Sequence, residues 1–137
     1  MSMTVREFPS IGEFAKSLDD SIAEYRKMLG DLLRKLEELR IKSEQEKKLK
    51  SILTKLGVTE ATPPNVLELR SLRIVVNPSP HQELSAMEAL VEALNNKIST
   101  LAAIRKDLEA LSGLDVGLRI LVVYIDDVPR TVMLKFS

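Results

Sequence analysis

The chain has 137 residues and is formally neutral, with 20 basic against 20 acidic side chains. That length suits one domain with a core of its own, and neutrality argues against a protein that coats nucleic acid by bulk charge alone. The absence of cysteine excludes a disulfide framework and a thiolate metal site, while 45% apolar and 29% charged residues fit a globular or coiled-coil protein.

Residues 1–9 form a tail in which Thr4-Val5-Arg6-Glu7-Phe8 is either a short edge strand or unstructured, closed by Pro9. Ser10 and Glu13 have the spacing of a capping box and open a helical segment over residues 10–57. Its apolar residues Ile22, Tyr25, Leu29, Leu32, Leu36 and Leu39 alternate steps of three and four, the seam of a helix that packs along another helix. The stripe lapses over residues 40–48 and resumes at Leu49, Ile52, Leu53 and Leu56. With a second capping box at Ser43 and Glu46, the segment is either one helix with an exposed waist or two helices. Gly57 is the expected stop. Residues 26–55 hold ten basic and five acidic side chains, a net +5 that reads as a solvated helix face.

Two prolines make residues 58–65 a linker. Residues 66–77 are strand-like, but the apolar alternation slips at Arg70-Ser71, which calls for a bulge or a break into two short strands. Ser79, Pro80 and Gln82 then start a long helix over residues 79–112, with Gly113 behind it. Leu118 to Ile125 is apolar almost throughout and reads as a central strand. Asp126-Asp127-Val128-Pro129 supplies a turn, and the chain returns to Phe136, so residues 117–136 form a β-hairpin. The expected class is α+β in a single domain, residues 1–137. Two long helical segments, in helix–strand–helix–hairpin order, pack on a small antiparallel sheet with coiled-coil-like helix pairing.

Catalytic signals are weak. His81 is the single histidine and sits at a helix start without triad partners, so it reads as an exposed helix-start residue. Asp126-Asp127 reads as a turn that bonds its own backbone, with no further metal ligand placed beside it. Glycine-rich phosphate loops are absent. No enzyme, no cofactor and no metal are therefore expected. The absence of a membrane-length apolar run and of a signal-peptide core makes the cytoplasm the expected location. Abundant Lys and Glu beside scarce Asn and Gln fit a thermophile.

The surfaces carry the stronger signals. The helix seams leave apolar residues beyond one stripe (Leu33, Leu90, Ile104), which favours a homo-oligomer, dimer or tetramer, paired through helix faces. Arg70, Arg73, Arg119, Arg130 and Lys135 lie in or beside the expected strands among Leu, Val and Ile, and Tyr124 joins them. Guanidinium groups bind phosphates and stack on bases, so a face both apolar and cationic suits an unpaired strand. Charge that guards edge strands explains the same residues equally well.

The run Leu67-Glu68-Leu69-Arg70-Ser71-Leu72-Arg73-Ile74-Val75-Val76-Asn77-Pro78, the capped helix after it, and Val123-Tyr124-Ile125-Asp126-Asp127-Val128-Pro129-Arg130 resemble the ThermoDBP-related proteins of thermophilic archaea. The resemblance covers nearly the whole chain and lies in pattern and element order. It implies single-stranded DNA binding without an OB fold, in a cleft apolar inside and basic at its edges, with subunits enclosing the strand. Longer family members add a C-terminal zipper that this sequence lacks at Ser137, so assembly is expected to use the domain's own helices. The leading expectation is thus a non-catalytic single-stranded DNA-binding protein, with RNA as an alternative strand. The competing expectation is a coiled-coil scaffold or chaperone-like module for protein partners.

Overall fold

The structure, a computed structural model, describes residues 3–57, 65–114 and 118–136. Most of the expected linker, residues 58–64, lies outside them. The first helix, α1, runs unbroken over Ile11–Lys55. The Glu13 amide donates to Ser10 Oγ at 3.0 Å, so the first of the two capping boxes is used at its N-cap. The second is not: Ser43 lies inside the helix and is buried. Residues 40–48 contain neither Gly nor Pro and are mostly Lys, Glu, Gln and Arg, which sustain a helix without apolar contacts. The Glu46–Lys50 pair at 3.0 Å adds local support. Gly57, at φ +80°, ends the run in a conformation that costs other residues energy.

The second helix, α2, spans Pro80–Asp107 and tightens into a 3-10 turn over Leu108–Leu111. Its capping box is complete. The Gln82 amide donates to Ser79 Oγ at 3.2 Å, and the Ser79 amide donates back to Gln82 Oε1 at 3.0 Å.

Contacts group the chain into two compact units, Met1–Leu29 with Glu92–Ser137, and Gly30–Val91. The first holds a three-stranded antiparallel sheet. The tail forms β1, Met3–Phe8, one of the two outcomes open from sequence. Two further strands of this sheet are Leu118–Ile125 and Val128–Phe136; they are β4 and β5, because β2 and β3 (below) precede them in the chain. The order is β1-β4-β5, with β4 central as expected. Asp126 and Asp127 have φ of +53° and +65°, the left-handed pair of a two-residue hairpin turn. The turn therefore needs only these two residues; Val128 and Pro129 already belong to β5 and are buried. The register shifts between Val123 and Tyr124, so Arg130 is an extra residue on β5 between the pairs Val123–Thr131 and Tyr124–Pro129.

Helix residues cover one face of this sheet. Phe8, Ile11, Phe14, Leu18 and Ile22 meet Leu101 and Leu108 of the second helical segment and Leu118, Ile120, Val122, Tyr124 and Val128 of the sheet in one buried cluster. The Phe8 and Phe14 rings lie 5.3 Å apart at a 40° tilt, within the favoured range for aromatic pairs. Within this unit the two helices also pair through charge, with Arg105 Nε 3.0 Å from Asp19 Oδ1. Lys97 Nζ stands 5.1 Å from the centre of the Tyr25 ring.

The second unit holds the later part of α1, the start of α2, and a hairpin of two short strands, β2 (Val66–Glu68) and β3 (Arg73–Val75). The alternation slip is thus a break, with Arg70-Ser71 as the turn and the Leu69 amide donating to the Leu72 carbonyl at 2.8 Å. Leu36, Leu39 and Ser43 are the buried residues of α1 here.

Candidate nucleic-acid interface

β4 alternates in burial although its sequence barely alternates in polarity. Leu118, Ile120, Val122 and Tyr124 point into the core, which leaves Arg119, Leu121, Val123 and Ile125 on the outer face. Pairing sets Val5 and Glu7 of β1 beside them on one flank, and Thr131, Met133 and Lys135 of β5 on the other. The outer face is therefore an open sheet surface with apolar residues along it and charges toward one end. Val5, Ile125 and Met133 are 59%, 45% and 41% exposed, too much for residues of a covered face.

Arg119 lies directly opposite Lys135, which puts two cations side by side across β4 and β5. Arg119 also reaches Glu7 on the other flank, Nε to Oε1 at 2.6 Å, so part of its charge is answered within the sheet. Lys135 has no carboxylate within ion-pair distance among the described residues. Arg130 is exposed at the bulge near the other end of β5, also without an ion pair among the described residues. A bulge turns its extra side chain out of the regular alternation.

Tyr124 does not belong to this surface. It was expected to stack on bases, but its ring is 8% exposed and forms part of the core. Its position in β4 shares the inward face with Ile120 and Val122, which decides the matter. Burial raises the pKa of its hydroxyl, opposed by the charge of Arg6 and by hydrogen bonds from Ser17 and Arg6. Arg6 lies 4.9 Å from the centre of the Phe8 ring and 5.7 Å from that of Tyr124. It closes the open side of the core at the β1 edge, a role that nothing in the local sequence announces.

Sequence reasoning also missed Phe136. It pairs with Leu118 at the last position of β5 and is 78% exposed, because the sheet ends there. The ring is the most exposed aromatic among the described residues, and by alternation it lies on the side of the sheet opposite Lys135, the side that Leu118 shares. Its position at the end of an apolar strand was the available signal.

Arg70 and Arg73 lie in the other unit. Arg73 faces Glu68 across the β2–β3 hairpin, Nε to Oε1 at 3.3 Å. Arg70 occupies the exposed turn, without an ion pair among the described residues. The six expected residues thus divide: Arg119, Arg130 and Lys135 are exposed on the three-stranded sheet, Tyr124 is inside it, and Arg70 and Arg73 are on the hairpin.

Other candidate chemistry is thin. A surface cavity of about 390 Å³ beside β1 is lined by Arg6 and Lys16 but also by Glu7, Glu13 and Asp20, so it has no clear preference of charge. Among the described residues no three His, Cys, Asp or Glu side chains gather as a metal site, and His81 is exposed. No described helix is long and apolar enough to cross a membrane. Comparison of the chain with protein-family models, curated proteins and solved structures finds no match in any of the three.

Proposed function

We propose that this chain is a non-catalytic single-stranded DNA-binding protein of the ThermoDBP-related kind, working in the cytoplasm as a homo-oligomer. The observation that carries the reading is the cross-strand pair Arg119–Lys135 on an exposed sheet face whose other residues include Val5, Ile125 and Met133. An unpaired strand offers flat apolar bases and a line of phosphates at once, and a surface mixing apolar residues with cations answers both. A duplex keeps its bases stacked inside and gains only the charge term. Arg130 adds a cation near the other end of β5, and the exposed Arg70 and the Glu68-paired Arg73 are candidate contacts of the second unit by itself. Because the chain has zero net charge, affinity comes from these local groups.

Fluorescence anisotropy with a labelled single-stranded oligonucleotide, a duplex competitor and a salt titration tests this. Salt-sensitive binding that duplex fails to displace supports the reading. Absence of binding at low salt ends it. Single-stranded RNA in the same assay separates the two strand types through the 2′-hydroxyl.

The second reading, a scaffold for protein partners, is favoured by the stripe Leu49 and Ile52 on α1 with Leu56 in the turn that follows it, at 57%, 55% and 73% exposure. These residues repeat at helical spacing and would seat the apolar face of another helix. Failure of the oligonucleotide assay, joined to recovery of a helical partner on this stripe, selects it.

A further inference from the structure

The β2–β3 hairpin has one face that is apolar from Leu67 and Ile74 to the turn. The register pairs Leu67 with Ile74, Glu68 with Arg73 and Val66 with Val75, and the Leu69–Leu72 backbone bond continues the ladder to the turn. Alternation then puts Leu67, Leu69, Leu72, Ile74 and Val76 on one side, at 55%, 49%, 62%, 37% and 56% exposure. The opposite side carries the Glu68–Arg73 ion pair and the half-buried Val66 and Val75. One side is thus partly covered, and the other is largely bare.

We infer that this bare face is a self-association surface, on which the hairpin of a second copy of this chain packs face to face about a two-fold axis. Three considerations converge. A two-stranded hairpin with only three paired positions is marginal in water and gains most from a covering layer. The exposed apolar area is on the order of 500 Å² per chain, so a symmetric pair buries about 1,000 Å², the threshold of a specific interface. The face offers no charge, and the one polar side chain that the register adds to it, Asn65 opposite Val76, is already engaged by Gln82, so it contains little to select a polar or charged partner. A two-fold axis brings apolar onto apolar by symmetry, as homodimer interfaces commonly do. Glu68 and Arg73 answer each other on the far side and stay clear of the contact. The inference does not depend on nucleic-acid binding, and it names a surface distinct from the helix faces.

Sedimentation equilibrium over a wide concentration range tests it, with the intact chain, Leu72→Glu, and Leu49→Glu on α1. The expected result is a reversible dimer of the unmodified chain. Leu72→Glu should weaken it about a hundredfold or more, since each substitution counts twice in a symmetric pair. Leu49→Glu should leave it within about threefold, a change to an exposed side chain on α1, outside the hairpin face of the proposed contact. Circular dichroism checks that both variants stay folded. Hydrogen exchange on the unmodified chain supplies the arm that needs no variant: amides of residues 66–76 should exchange more slowly as concentration rises. A chain monomeric at every concentration overturns the inference. So does a dimer that Leu72→Glu leaves intact, or one lost through Leu49→Glu alone, or exchange in residues 66–76 that ignores concentration.

Discussion

The side-chain amides of Asn65 and Gln82 hold each other through two hydrogen bonds, Nδ2 to Oε1 at 2.7 Å and Nε2 to Oδ1 at 2.8 Å. Gln82 Oε1 also accepts from the Ser79 amide, and the Asn65 carbonyl accepts from the Val76 amide at 2.8 Å. The cap of α2 and the base of the β2–β3 hairpin are therefore one network. Gln82→Ala removes three part-buried hydrogen bonds and leaves the Asn65 amide without this partner. A loss of about 1–3 kcal/mol is expected in denaturant unfolding, with faster hydrogen exchange in residues 66–76. Ser79→Ala, which removes the cap acceptor and spares the amide pair, should cost about 1 kcal/mol.

Glu7 holds Arg119, so under the proposed DNA-binding function it would compete with phosphate for that guanidinium. Glu7→Gln frees the guanidinium and should tighten single-stranded DNA binding about two- to fivefold at low salt, the worth of an exposed ion pair. Weaker or unchanged binding in the anisotropy assay would take Arg119 off the contact surface.

Lys135→Ala should weaken binding and flatten its salt dependence. If Arg119, Arg130 and Lys135 each neutralise a phosphate, the log–log salt slope is about −2, and loss of one cation lowers its magnitude by about 0.7. A titration in which the slope does not change would show that Lys135 touches no phosphate.

Tyr124 yields a prediction of opposite kind. Tyr124→Phe keeps the ring in the core and should leave DNA binding unchanged. Tyr124→Ala should cost about 3–5 kcal/mol of stability, as a lost core aromatic does. The folded-state pKa of the hydroxyl is raised, chiefly by burial. The native state therefore keeps its proton where an unfolded tyrosine gives it up. The stabilisation is full below the ordinary tyrosine value and is lost as pH rises through the folded-state value. Unfolding free energy should fall more steeply in alkali for the unmodified chain than for Tyr124→Phe. Parallel curves would contradict the assignment.

Boundaries marked by local chemistry were legible in the sequence. Ser10, Ser79 and Gln82 act at the helix starts, Gly57 at a helix end, and Arg70-Ser71 at the break between two strands. What depends on distant pairing was not legible. Tyr124 faces inward because β4 presents its even-numbered positions to the helices, and a strand apolar on both faces hides that choice. Arg119 meets Glu7 from 112 residues away, so its partial neutralisation needs the β1–β4 register. The division into two units escaped notice because α1 and α2 each contribute residues to both, and no break in pattern marks the crossing.

Pro129 has a consequence for how this protein behaves when concentrated. It lies on the outer strand β5, has no amide hydrogen, and precedes the extra residue Arg130. On the opposite margin, β1 is six residues long and carries Arg6 and Glu7. Neither margin offers a long, regular row of amides and carbonyls to an incoming chain, so the sheet is a poor template for cross-β growth. Crowded solutions of this protein should cloud reversibly, as colloids do, before they seed fibrils.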